Sequence, residues 1–235
     1  MPEKKNKTDW INEKYSIWFV VVVGIFVTSL IIANIISVKL TQIGTLVFPV
    51  GVVIFPISYI FGDILTEVYG YSRARRVIWL GFLCNLLAVI SIKVAQALPS
   101  ASFWEGQDAF SMILGNTPRL LVASFLAYLI GEFANSFVLA KMKILTRGRW
   151  LWVRTIGSTL LGEGLDSMVF ISIAFFGVIP NSSLVSAAIT QWAIKSTYET
   201  IITPVTYLVV NHLKKVENVD FFDDKTDFNP LKIRS

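Results

Sequence analysis

"FGDILTEVYGYSRARR", residues 61–76, decides how the rest of the chain is read. It opens inside a long apolar run, yet Asp63 and Glu67 sit there one helical turn apart, and Arg73, Arg75 and Arg76 follow at once. A run this greasy that holds carboxylates and stops at a basic cluster suggests a membrane span with a functional interior and a cytoplasmic end. Glu67, beside the arginines, reads more readily as a surface ion pair than Asp63 does.

The surrounding composition agrees. Of the 235 residues 54% are hydrophobic and only 16% charged, and the mean hydropathy of +0.63 lies outside the range of an ordinary soluble domain. A helix needs about 20 apolar residues to cross a hydrocarbon core of ~30 Å. Six segments suffice, roughly 17–40, 47–68, 76–98, 118–140, 154–178 and 185–211. Such runs are too long for barrel strands, and backbone in lipid must satisfy itself, so an all-α polytopic membrane protein is expected. Its domains are a cytoplasmic N-terminal segment (1–16), a transmembrane domain (17–211) and a cytoplasmic tail (212–235). Residues 1–16 are hydrophilic and do not read as a signal peptide. From Val216 the tail carries Glu217, Asp220, Asp223, Asp224 and Asp227, which reads as a solvated acidic appendage.

Basic residues set the orientation. Lys4, Lys5, Lys7 and Lys14 precede the first span, and Arg73, Arg75 and Arg76 separate the second from the third. Lys141, Lys143, Arg147, Arg149 and Arg154 lie between the fourth and fifth, and Lys214, Lys215, Lys225, Lys232 and Arg234 follow the sixth. The other connections have only Lys39 and Arg119 at their edges. The positive-inside rule then puts both termini in the cytoplasm. It also accounts for the pI near 9.3 without any nucleic acid as partner.

Within the spans stand Asp63, Glu132, Glu163, Asp166 and Glu199, with Lys93 and Lys195. Each charge near the bilayer centre costs ~2.5–3.5 kcal/mol, so these groups must face one another or a wet cavity. Their spacing puts them on shared helical faces: Asn34 with Ser37, Tyr59 with Asp63, Glu132 with Asn135, Glu163 with Asp166, and Gln191 with Lys195 and Glu199. A polar network that merely glues helices together is the plain alternative.

An internal echo extends the pattern. "ANIISVK" (33–39) recurs as "ANSFVLAK" (134–141), "GDILTE" (62–67) as "GEGLDS" (162–167), and Lys93 as Lys195. Each partner follows about a hundred residues later. Three spans repeated by three imply a 3+3 inverted repeat, with a site between the halves as in secondary transporters. Pro49, Pro56 and Pro204 suit broken helices. Enzyme chemistry finds little footing. His212 is the single histidine, no Gly-rich phosphate loop is present, and Cys84 is the lone cysteine, so no catalytic residue, metal or cofactor is expected. An ion channel fits less well, because the carboxylates are paired with amides and lysines rather than ringed.

Longer motifs carry a resemblance. "GDILTEVYGYSRAR" (62–75), "WEGQDAF" (104–110), "GEFANSFVLAKMK" (131–143) with Gly148, "WVRTIGSTLLGEGLDSMVF" (152–170), "KSTYETIITP" (195–204) and "FNP" (228–230) resemble the queuosine precursor transporter family, once grouped with vitamin uptake transporters. The resemblance implies a six-span protein of the bacterial inner membrane. It also implies import of a 7-deazaguanine, such as preQ0 or preQ1, destined for tRNA queuosine modification. Such a base offers N1–H and a 2-amino group side by side, a donor pair that one carboxylate accepts in bidentate fashion. Glu163 or Glu132 is expected to do this, with Asp166, Asn135 and Gln191 completing the polar contacts and Lys195 holding a neighbouring carboxylate ionised. Asn34, Asp63 and Glu199 join the same site, and Phe170, Trp192 or Tyr198 offers a ring to stack on. A spare carboxyl could carry a proton, so a proton or cation as coupling ion remains open, as does a homodimer. The alternative is a substrate-binding subunit that hands its ligand to a separate ATP-driven module, the energy-coupling arrangement.

Overall fold

A computed structural model describes residues 16–43, 46–115, 118–177 and 180–232. The N-terminal lysines Lys4, Lys5, Lys7 and Lys14, and Arg234, lie outside the described residues. The chain forms helix α1 (Ile17–Ile36), strands β1 (Leu40–Ile43) and β2 (Leu46–Pro49), and helices α2 (Phe55–Ile64), α3 (Tyr71–Ala97), α4 (Gln107–Leu114), α5 (Pro118–Leu145), α6 (Leu151–Phe175) and α7 (Asn181–Glu217). It is a helical, multi-pass membrane protein. Five segments among the described residues are long and apolar enough to cross a bilayer: α1, the broken segment Val50–Tyr69, α3, the stretch Gln107–Leu145 and α6. Helix α7 is long enough but is not among them, because Gln191, Lys195, Glu199 and a run of Ser and Thr lower its mean apolarity.

One departure from the all-α expectation falls in the first connection. Residues 40–43 pair antiparallel with residues 46–49, Leu40 with Pro49 and Thr41 with Phe48. Their β-branched and aromatic content favours strands once the span has left the core. The second span is also not one helix. It starts as a 3₁₀ turn (Val50–Val53), becomes α2 with Pro56 in its first turn, and ends as a π-helical turn (Leu65–Tyr69). Gly70, at φ +85°, then reverses the chain directly into α3.

Helices α5 and α6 form the most extensive pair, followed by α6 with α7 and α1 with α2. Two glycines let α5 and α6 come close: a Cβ on Gly131 would sit 2.8 Å from that of Asp166, and one on Gly162 would sit 2.7 Å from that of Asn135. That approach brings the carboxylates of both helices to one level. The apolar core lies on the other side, where Phe26 and Leu30 of α1, Ile64 and Ile78 pack together and Tyr128 of α5 donates to Ile78 O at 2.9 Å. Outward faces are apolar, with Leu83, Leu87 and Ile90 on α3 and Ile201, Val205 and Leu208 on α7 exposed, as surfaces in contact with lipid should be.

The bundle has two chemically distinct ends. At one, Ser16 donates to Glu217, Trp18 meets His212 edge-on, and Glu67, just ahead of the α3 arginines in sequence, pairs with Lys143 and Arg154. At the other, Arg119 donates to Ile173 O at 2.6 Å and to Phe176 O at 2.5 Å.

Candidate functional site

At the Arg119 end a cavity of about 480 Å³ opens between α1, the start of α2, α5, α6 and α7. Its walls mix apolar side chains with a few polar ones. Asn34 and Ser37 face it from α1, Ser124 from α5, Asp166 and Phe170 from α6, Gln191 and Lys195 from α7, and Phe55 from α2. Ser124 donates to Asn34 Oδ1 at 2.9 Å, which fixes the amide across the α1–α5 contact. Lys195 is buried and donates to Asp166 Oδ2 at 2.5 Å; it also lies 3.0 Å from Glu163 Oε2 and 4.0 Å above the Phe55 ring. A cation so held fixes the position of Asp166 on the cavity wall.

Behind this wall lies a second, closed layer. Asn135 donates to Asp63 Oδ1 at 2.7 Å, and Thr159 donates to Glu199 Oε1 at 2.5 Å. Glu132 is fully buried, within electrostatic reach of Glu163, Glu199, Asp166 and Lys195, and neither of its oxygens has a hydrogen-bond partner. Its carboxylate packs on the backbone of α2, 2.9 Å from where a Cβ on Gly62 would stand.

The structure therefore divides the residues singled out from sequence. Asn34, Asp166, Phe170, Gln191 and Lys195 line the cavity. Asp63, Glu132, Asn135, Glu163 and Glu199 converge just behind it. Tyr198 packs half-buried against the apolar core, and Trp192 is exposed, its indole donating to Leu160 O at 2.9 Å. Phe55, Ser37 and Ser124 were not singled out as site residues; the one signal in the sequence was Ser37, three residues after Asn34.

Glu67 requires a correction. It is not a surface partner of the nearby arginines but fully buried, with Arg154 and Lys214 each 2.7 Å from Oε1 and Lys143 at 3.6 Å. The same Lys143 donates to the carbonyl of Glu67 at 2.5 Å and to Asp220 at 2.6 Å. One carboxylate thus ties the π-helical turn after α2 to α5, α6 and α7. The tail is not a solvated appendage either. Asp223 is buried and accepts from the Tyr71 amide at 2.9 Å, Arg75 donates to the carbonyls of Asp227 and Asn229, and Trp79 donates to Pro230 O at 2.9 Å. Lys141 lies 3.9 Å from the Phe228 ring, a cation–π contact that holds the "FNP" motif down. The aromatic residues interleaved with the acids give the tail a face to dock.

Comparison with known proteins follows the same lines. A "Probable queuosine precursor transporter" of Bacillus subtilis (strain 168) is 29% identical over 176 residues, 74% of this chain and 77% of that protein. A "Queuosine precursor transporter" of Escherichia coli (strain K12) is 29% identical over 126 residues, 54% of each chain. A "Probable queuosine precursor transporter" of Haemophilus influenzae is also 29% identical over 126 residues, 54% of this chain and 51% of that one. The match thus spans about half the length of the last two. No solved structure matches the chain. The family described as "Putative vitamin uptake transporter" matches residues 49–209, from the end of β2 almost to the end of α7. With well over half of its length matched, the chain belongs to that vitamin uptake transporter family.

Proposed function

We propose that this chain imports a 7-deazaguanine precursor of queuosine across the bacterial inner membrane, by opening its cavity alternately to the two sides. The observation that carries this reading is the cavity itself. Its volume is in the range of small-molecule sites, its walls are mostly apolar, and it has one carboxylate, one cation, two amides and three phenylalanine rings. Asp166, held by Lys195 on the wall, replaces Glu163 and Glu132 as the carboxylate that accepts the N1–H and 2-amino donors, since the two glutamates stand behind it. Gln191 and Asn34 complete the polar contacts, and Phe170 stacks on the base.

The basic end faces the cytoplasm by the positive-inside rule, with both termini inside and six crossings over residues 17–211. In this orientation the cavity opens outward, while Glu67 and the docked tail close the cytoplasmic end. One of the sequence echoes favours an inverted repeat. Residues 33–39 close α1 at the cavity end, and 134–141 lie toward the opposite end of α5. The Lys93–Lys195 echo does not follow the inversion, because both lysines fall toward the cavity end, where Lys93 bonds Gln96 at 3.1 Å.

The test is queuosine in the tRNA of cells that lack their own precursor synthesis and importer, supplied with preQ0 or preQ1. Expression of this chain should restore the modification, and Asp166→Asn should reduce it at limiting precursor. Restoration by neither base would overturn the reading.

A further inference from the structure

Asp63 and Glu199 come together where α2 packs on α7. Glu199 follows the cavity residue Lys195 by one turn of α7, and Asp63 precedes Glu67 by about one turn of the second span. The two carboxyls therefore stand between the cavity floor and the cluster that closes the basic end. Both are buried, at 1% and 2% exposure. Each has one oxygen satisfied, by Asn135 and by Thr159 respectively. Their remaining oxygens, Asp63 Oδ2 and Glu199 Oε2, have no donor, and the two groups lie within hydrogen-bonding reach of each other.

The surroundings supply no charge to hold them apart. The titratable and charged groups facing them are Tyr59 and Glu67 from α2 and its π turn, Glu132 from α5, Glu163 and Asp166 from α6, and Lys195 from α7. Lys195 is taken up by Asp166, Glu163 and the Phe55 ring. An ionised carboxylate only accepts hydrogen bonds, and two facing each other in a dry site cannot both stay ionised. One shared proton makes one carboxyl a donor to the other and satisfies both bare oxygens. Among the described residues no group of His, Cys, Asp and Glu is arranged to hold a metal ion.

We propose that the Asp63–Glu199 pair is a proton site that couples import to the proton gradient. A proton arrives from the cavity side with the solute. When the Glu67 cluster opens, water reaches the pair, the carboxyl O–H bond breaks, and the proton leaves to that water. The proposal rests on the transport reading above, with Asp166 and Lys195 taking the solute one turn away.

The experiment uses the purified full chain in liposomes with radiolabelled preQ1 and preQ0. With the outside more acidic by about one pH unit, one proton per solute supports up to about tenfold accumulation. Wild type should accumulate the base above equilibrium, and a protonophore should abolish this. Asp63→Asn and Glu199→Gln should lose accumulation yet keep exchange of labelled for unlabelled base, which needs no net proton movement. Accumulation indifferent to the gradient, or variants that accumulate like wild type, would overturn the coupling. If wild type exchanges neither base, the transport reading fails instead, and the pair is then judged by infrared titration of the same sample. That spectrum should contain the carbonyl stretch of a protonated carboxyl at neutral pH, shifted or reduced by either variant. Its absence in wild type overturns the proton site whatever the solute.

Discussion

Arg154 donates to Glu67 Oε1 at 2.7 Å with neither side chain exposed, a contact between residues 87 apart in sequence that closes the basic end of the bundle. Lys214 and Lys143 share the same carboxylate, and both also pair with Asp220 of the tail, at 2.9 and 2.6 Å. Removing the one buried anion leaves several cations facing one another, and breaking a buried pair costs about 3–5 kcal/mol. Glu67→Gln should therefore lose stability on that order, measured by unfolding in detergent. Unfolding like that of wild type would show that the cluster does not hold the end closed.

Asp166 supplies the acceptor for the base in this account. Asp166→Asn keeps the size but turns an accepting oxygen into a donor, so a buried donor meets the donors of the base. Such a mismatch costs ~1–3 kcal/mol, about 5- to 150-fold in affinity. Concentration dependence of uptake should show this as a raised half-saturation concentration. An unchanged value would move the reading carboxylate elsewhere.

Phe170 and Trp192 separate a lining ring from an outward one. Phe170 lines the cavity and braces Phe175 edge-on, their centroids 6.2 Å apart, whereas Trp192 is exposed. Stacking of a base on an aromatic contributes ~1–3 kcal/mol, so Phe170→Ala should weaken half-saturation by roughly 5- to 150-fold. Trp192→Ala should leave it within about twofold. The reverse order would put the stacking ring on α7 instead of α6.

The Asp220 contact of the tail should weaken only in acid. Partial burial pushes the Asp220 carboxyl up, but hydrogen bonds from Lys143 and Lys214 outweigh this and hold it below its ordinary value of 3.8. A lowered value in the docked state means that this contact stabilises docking above pH 3.8 and is lost as the pH falls below it. A fluorophore on Asp224→Cys, in a Cys84→Ala background, should report docking at neutral pH and a loosened tail below that point. Adding Asp220→Asn should weaken docking at neutral pH and flatten the acid transition. A tail that undocks near neutral pH in the wild type would contradict the assignment.

Several of these relationships were legible in the sequence because lipid makes polarity expensive. Asp63, Glu132, Asn135, Glu163, Asp166, Lys195 and Glu199 could be expected to converge from their cost alone, and they do so across α2, α5, α6 and α7. The queuosine precursor resemblance read from the longer motifs agrees with the names of the relatives. Depth was not legible. Period and spacing put Glu163 and Asp166 on one face of α6, yet only the α5–α6 approach at Gly131 and Gly162 decides which of them reaches the cavity. Glu67 was misjudged because three arginines follow it closely, whereas its partners Lys143, Arg154 and Lys214 come from 76, 87 and 147 residues away. The tail was misjudged because acids at a terminus suggest solvent, whereas Asp220 and Asp223 find partners on distant helices and several other anchors are backbone carbonyls that no side-chain pattern reveals.

The central claim is that this chain, by itself, carries a 7-deazaguanine through the membrane by way of the Asp166 cavity. Uptake of labelled preQ0 and preQ1 into liposomes containing only the purified protein tests it most directly. Saturable uptake of one or both, absent from protein-free liposomes and weakened by Asp166→Asn, is the predicted result. Binding of the base without any entry into the vesicles would contradict the claim, and would instead fit a binding subunit that depends on a separate energy-coupling partner.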